Sequence, residues 1–201
     1  MKKAVAIILC LFSVFAFTAC AKVKLTRPFE LSFYDDNVNN YEQKRAKVEY
    51  ASEHLPALES LGEYTDASYT YKHRSVLLFE SEAIALFVKY GEDYEAKKAE
   101  ALSSRELLAE TVISEDGEYY LSAPAAFSYG GYDFRTVMPS EELGIGGTPC
   151  KAFMMIGSND TERSIAYCYF YDFDLDYIAE TSVDEQEAIS DFIDNYFVFA
   201  N

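Results

Sequence analysis

Between Tyr171 and Tyr177, apolar residues alternate one for one with acids: Tyr171, Phe173, Leu175 and Tyr177 against Asp172, Asp174 and Asp176. A period of two can bury one face only if the chain is extended, so this stretch must be a strand with a dry side and a wet side. The aspartates are expected to point outward and Phe173 and Leu175 to enter the core. The same period recurs upstream, where Tyr69, Tyr71 and His73 share one face and Thr70, Lys72 and Arg74 the other. Phe29 to Phe33 alternates as well and predicts a first short strand.

Other segments carry the helical period. Ile189, Phe192, Ile193, Tyr196 and Phe197 form an apolar stripe, with Ser182 and Glu185 in capping-box spacing ahead of it, predicting a helix over 184–198. Val48, Ala51, Leu55 and Leu58 predict a helix over 41–55 that Pro56 stops. A third is expected over 92–109, packing through Tyr94, Ala101 and Leu102, with Ser103 and Glu106 as a second capping box. Asp116-Gly117 marks a hairpin. Val76–Phe79 and Ala83–Val88 read as a buried hairpin turning at Glu80–Glu82. Phe127–Met138 reads as one strand bent at Gly130 and Gly131, or else as a ligand loop presenting Tyr129 and Tyr132. Lys151–Ile156 and Ser164–Ile178 read as strands joined through Ser158–Asp160. Together these predict an α+β fold: a mainly antiparallel sheet with helices packed on it, in a single domain over 29–201.

The N-terminus has a different character. Lys2 and Lys3 precede an uncharged run from Ala4 to Ala19, rich in Ile, Leu, Val and Phe. That is the signal-peptide pattern, and it is shorter than the roughly 20 apolar residues a membrane span needs. Phe17-Thr18-Ala19-Cys20 resembles the lipobox of bacterial lipoproteins, with Phe17 where Leu is usual. The resemblance covers residues 1–20. It implies cleavage after residue 19, acylation of the Cys20 sulfur, and an extracytoplasmic protein anchored to a bacterial membrane by lipid. Residues 20–28 would then be the lipidated cysteine and its tether. The eight residues from Ala21 to Pro28 reach at most about 3.3–3.6 Å each.

Charge narrows the partners. The chain has 17 Lys and Arg against 34 Asp and Glu. Two of the lysines leave with residues 1–19, so the remainder carries a formal −19. Such a surface repels phosphate polymers, which excludes a nucleic-acid partner. It leaves a cationic or protein partner in the envelope as the expectation.

Chemistry is sparse in the sequence. Asp172, Asp174 and Asp176 open like an EF-hand calcium loop, but Tyr177 stands where Gly is required and Val183 where Glu closes the site. A solvated strand face explains them better, with a cation or partner surface including Tyr129 and Tyr132 as the alternative. His54 and His73 are the only histidines, without zinc-ligand spacing. There is no nucleophile elbow, and no spacing calls for a cofactor. Cys150 follows a Gly-rich stretch, but its better use is a disulfide with Cys168, since Cys10 leaves with the signal peptide and Cys20 takes the lipid. That bond needs Cys150 and Cys168 directly opposed in a hairpin centred on Asn159. The function expected is a membrane-anchored binding or interaction module of open ligand. The alternative is an envelope hydrolase using a carboxylate or cysteine.

Overall fold

The computed structural model describes residues 31–34, 38–76, 79–110, 124–138, 152–172 and 185–199. Residues 1–28 with Cys20, the Asp116-Gly117 signal, Cys150, Phe173, Asp174, Leu175, Asp176 and Ser182 lie outside the described residues. Seven strands form one antiparallel sheet: β1 (Leu31–Tyr34), β2 (Asp66–Val76), β3 (Phe79–Lys89), β4 (Ala126–Tyr129), β5 (Tyr132–Thr136), β6 (Ala152–Asn159) and β7 (Ser164–Asp172). Their spatial order is β1-β2-β3-β7-β6-β5-β4. Among the described residues four α-helices accompany them: α1 (Tyr41–Lys47), α2 (Ala51–His54), α3 (Tyr94–Ser103) and α4 (Glu185–Tyr196). This is the α+β architecture that the periodicities predict.

The sheet has two buried faces of different chemistry. One face and its cover bury Tyr41, Tyr69, Tyr71, Tyr90, Tyr94, Tyr167, Tyr169 and Tyr171, with no phenylalanine among the buried members. The other buries Phe127, Phe134, Phe153, Phe170, Phe192 and Phe197, with no tyrosine among them. What covers each face explains the segregation. The tyrosine face lies under α1, α2 and the broken chain between Val48 and Leu61, where the carbonyls of Glu49 and Pro56 stand outside any helix. Phenol hydroxyls reach those carbonyls: Tyr41 donates to Pro56 O at 2.7 Å and Tyr169 to Glu49 O at 3.0 Å. The phenylalanine face lies under α4, a regular helix whose mid-span backbone is already paired, so a hydroxyl there would have little to bond.

The apolar stripe of α4 is buried as its spacing predicts, with Ile189, Phe192, Ile193 and Phe197 all at 5% exposure or less. The row Thr70, Lys72 and Arg74 also shares a face, but that face is not given over to water. The Lys72 ammonium donates to Asn195 O and the Thr70 hydroxyl to Val198 O, while the Arg74 guanidinium lies 5.2 Å from the Tyr196 ring. A cation among the last carbonyls of a helix complements the negative end of its dipole.

Several local expectations are corrected. The β2–β3 hairpin closes at the Val76–Phe79 pair, not at Glu80–Glu82, which lie inside β3. Glu82 is buried there because it accepts from the Tyr71 hydroxyl, with the Lys47 ammonium 3.8 Å away. A paired carboxylate is tolerated where an unpaired one is not. Gly130 and Gly131 do not bend one strand: at φ of 57° and 80° they form the two-residue reversal between β4 and β5, the backbone of a type I′ turn. The helix expected over 41–55 breaks in two, with Val48 extended and Tyr50 left-handed at φ 59°. The helix expected over 92–109 ends at Ser103, and the backbone from Glu106 to Leu108 pairs with residues 136–138 instead. Ser103 and Glu106 therefore form no capping box.

The β6–β7 hairpin forms, but around a turn through Asp160–Arg163, with Arg163 left-handed at φ 50°. Asn159 pairs with Ser164, so Cys168 stands opposite Met155 on one side and Ala85 on the other. The register that would oppose it to Cys150 is not the one formed. Cys168 is a free thiol with no exposure.

Exchanging hydroxyls between the two faces should cost stability in both directions. Tyr169→Phe is expected to lose about 1 kcal/mol, one hydrogen bond. Phe170→Tyr should lose about 1–3 kcal/mol by burying a hydroxyl against α4. Urea unfolding of the domain measures both; a neutral exchange at either position would contradict this account of the two faces.

Candidate functional site

Where α2, α3 and the tyrosine face meet, the cover does not close. A pocket of about 210 Å³ opens there, with an apolar floor from Met154 and Ile156 of β6 and walls from Leu61 and Ala101. Polar groups converge on it from four separate stretches of chain: His54 at the end of α2, Tyr90 just after β3, Lys97, Glu100 and Arg105 in and after α3, and Tyr167 in β7.

Each group is fixed by a specific contact. The His54 ring stacks on Tyr169, centroids 5.2 Å apart and planes 14° from parallel. Arg105 Nη2 donates to the carbonyls of Glu53 and His54, both at 2.9 Å, which ties the chain after α3 to the C-terminal end of α2. Among the described residues Arg105 meets no carboxylate. Lys97 Nζ reaches Glu100 Oε2 at 3.0 Å, and a Cβ built on Gly62 would lie 3.2 Å from that ammonium. Gly62 is left-handed at φ 75°, so a side chain there would meet both backbone strain and the lysine. From below, Arg45 holds the irregular cover in place through Leu55 O and Ser52 O, at 2.9 and 2.8 Å.

Titration follows from these surroundings. Burial, and next the neighbouring Arg105 charge, lower the His54 pKa, so its imidazole is neutral at pH 7. Burial raises the pKa of both phenols in the lining, Tyr90 up to about 12 and Tyr167 higher still. Both phenols stay protonated at physiological pH and so present O–H donors. The pocket therefore presents donors and positive charge over an apolar floor, with Glu100 the only carboxylate among the described residues that line it.

Apart from His54, the described residues that the sequence singles out for chemistry lie elsewhere. Tyr129 and Tyr132 flank the β4–β5 turn, packed edge-on against Phe199 at 5.2 and 6.2 Å. Their hydroxyls bond Asp194 and Ser164, so they act as packing between the hairpin and the chain after α4. Asp172 closes β7 opposite Ser81. His73 stands in β2 opposite Glu82, away from the pocket. Burial raises the Cys168 pKa well above that of an ordinary thiol, which removes it as a nucleophile. Among the described residues no three His, Cys, Asp or Glu side chains converge as metal ligands. Of the polar pocket residues, the sequence singles out only His54, and only as a residue of the 41–55 helix. The pocket is assembled from positions up to 113 residues apart, from His54 to Tyr167, and no local spacing announces it.

No family model matches the chain, and neither a curated protein nor a solved structure does.

The state of His54 makes a pH test possible. Its folded pKa lies below the unfolded value of 6.5, so protonation favours the unfolded chain. The stability it contributes is complete above pH 6.5 and is lost as pH falls from there toward the folded value. Wild type should therefore lose more stability between pH 7.5 and pH 5 than His54→Gln, measured by urea unfolding at each pH. An equal or larger loss in the variant would contradict the burial argument.

Proposed function

We propose that the protein is an extracytoplasmic lipoprotein, held to a bacterial membrane through a lipid on Cys20, whose α+β domain binds a small ligand in the pocket beside His54. The observation that carries the binding half is the convergence of Arg105, Lys97, His54, Tyr90 and Tyr167 on one apolar-floored pocket. Cationic side chains are outnumbered two to one by acids in this chain, so two of them beside a single carboxylate depart from its composition. A largely apolar pocket with a few convergent polar groups is the usual form of a small-molecule site. Its size suits a compact ligand, since a cavity of about 150 Å³ accepts benzene. The anchoring half rests on the basic start, the apolar run from Ala4 to Ala19 and the Phe17–Cys20 segment.

Two measurements test the halves separately. Cys20→Ala should move the protein from the membrane fraction to the soluble one or leave it uncleaved; unchanged processing and membrane retention would refute the anchor. For the pocket, Ser104 lines the mouth and is itself exposed. Single-ring fragments should raise the melting temperature of the wild-type domain and not of Ser104→Trp. If no fragment does so, or if the blocked variant responds equally, the pocket is not a binding site.

A further inference from the structure

We infer that the pocket selects a compact anion, a carboxylate carried on a body of about one ring, which Arg105 binds. The inference rests on the binding role proposed above and adds the charge and size of the ligand.

Arg105 is the central observation. A guanidinium has five N–H donors in a planar fork. The two bonds to the Glu53 and His54 carbonyls come from Nη2 alone, leaving Nε and Nη1 with no acceptor among the described residues. These bonds orient the group and do not neutralise it, because a carbonyl accepts a proton bond without bringing a charge. Arg45 shows the contrast on the same side of the sheet: it makes similar bonds to Leu55 O and Ser52 O, and its Nη1 also meets the Glu42 carboxylate at 3.1 Å. Arg135 likewise bonds only carbonyls, those of Ala125 and Leu108, but it does not line the pocket; Arg105 is the arginine that brings an un-neutralised charge to it.

The rest of the lining agrees in sign. Lys97 adds a second positive charge, countered only by Glu100, whose side chain is 66% exposed and so well screened by water. The Tyr90 and Tyr167 hydroxyls add neutral O–H donors to the lining. His54 is neutral and stacked, offering a flat wall without a competing positive charge. A cationic ligand would find the pocket's donors unusable and its charges repulsive. A neutral hydroxyl offers one acceptor and no charge, so on being buried it would leave part of the Arg105 fork unpaired and its charge unneutralised. The floor of Met154 and Ile156 and the wall of Leu61 ask for an apolar body. The volume of about 210 Å³ limits that body to about one ring with its carboxylate.

Three probes of one shape separate the terms: benzoate, benzyl alcohol and benzylamine. The imidazole protons of His54 report binding in proton NMR titrations of the domain, with His73 as the internal control in β2. Benzoate should shift the His54 signals saturably, and the alcohol and the amine should bind about tenfold or more weakly. Arg105→Gln should bring benzoate down to the level of benzyl alcohol, and Arg105→Lys should restore part of the difference. Because Arg105 also bonds two carbonyls, the comparison of probes on wild type stands even if the variants unfold. If the alcohol or the amine binds wild type as tightly as benzoate, anion selection is wrong while the pocket remains a binding site. If none of the three moves His54, both the inference and the pocket's binding role fall.

Discussion

Everything in this domain hangs on the pairing of β3 with β7. Nine residue pairs, from Lys89–Ser164 to Ser81–Asp172, join the N-terminal strands β1–β3 to the C-terminal strands β4–β7. Ser81–Leu86 and Ser164–Tyr171 are buried, because helices or helix fragments cover both faces here. A strand buried on both sides reads as a continuous apolar run, which is how Ala83–Val88 appears in the sequence. Burying such runs stabilises the seam by about 25 cal/mol per Å² of apolar surface removed from water.

The two sides of the seam set the division between structure and candidate function. On the α4 side a regular helix meets phenylalanines, and the layer closes. Gly157 shows how tightly: a Cβ there would come 2.4 Å from the Phe134 ring, which lies over its cross-strand partner. On the other side the cover is short helices and turns, stitched down by Tyr41, Arg45, Tyr169 and Arg105. Such a layer has to spend polar side chains on its own backbone, and it leaves a gap where the stitches diverge. The pocket is that gap, and its polar lining comes from the same residue types that hold the cover in place.

Legibility in the sequence follows the range of the signal. The facing of Tyr69 and Tyr71, the stripe of α4 and the existence of the β6–β7 hairpin are periodicities within one element, and they were readable. Turn placement was not. Glu80 and Glu82 look like a turn because they are polar, yet Tyr71, eleven residues away, makes Glu82 acceptable inside a strand. The break at Tyr50 carries no Gly or Pro, and the left-handed Arg163 that resets the Cys168 register is a residue type with no preference for that conformation. The candidate site was legible only in its ingredients. No spacing connects His54, Tyr90, Arg105 and Tyr167; the seam does.

The strand order also has a consequence for how the chain comes together. Hairpins β2–β3, β4–β5 and β6–β7 each close over a few residues, whereas the Lys89–Ser164 contact closes a loop of 75. Loop entropy grows as the logarithm of length, so bringing the halves together costs roughly 2–3 kcal/mol more than closing a tight turn. Until that closure occurs, β3 and β7 each present an apolar edge with unpaired amides, the form of surface most prone to join another chain. The interval before the seam zips is when a second copy competes with the chain's own other half.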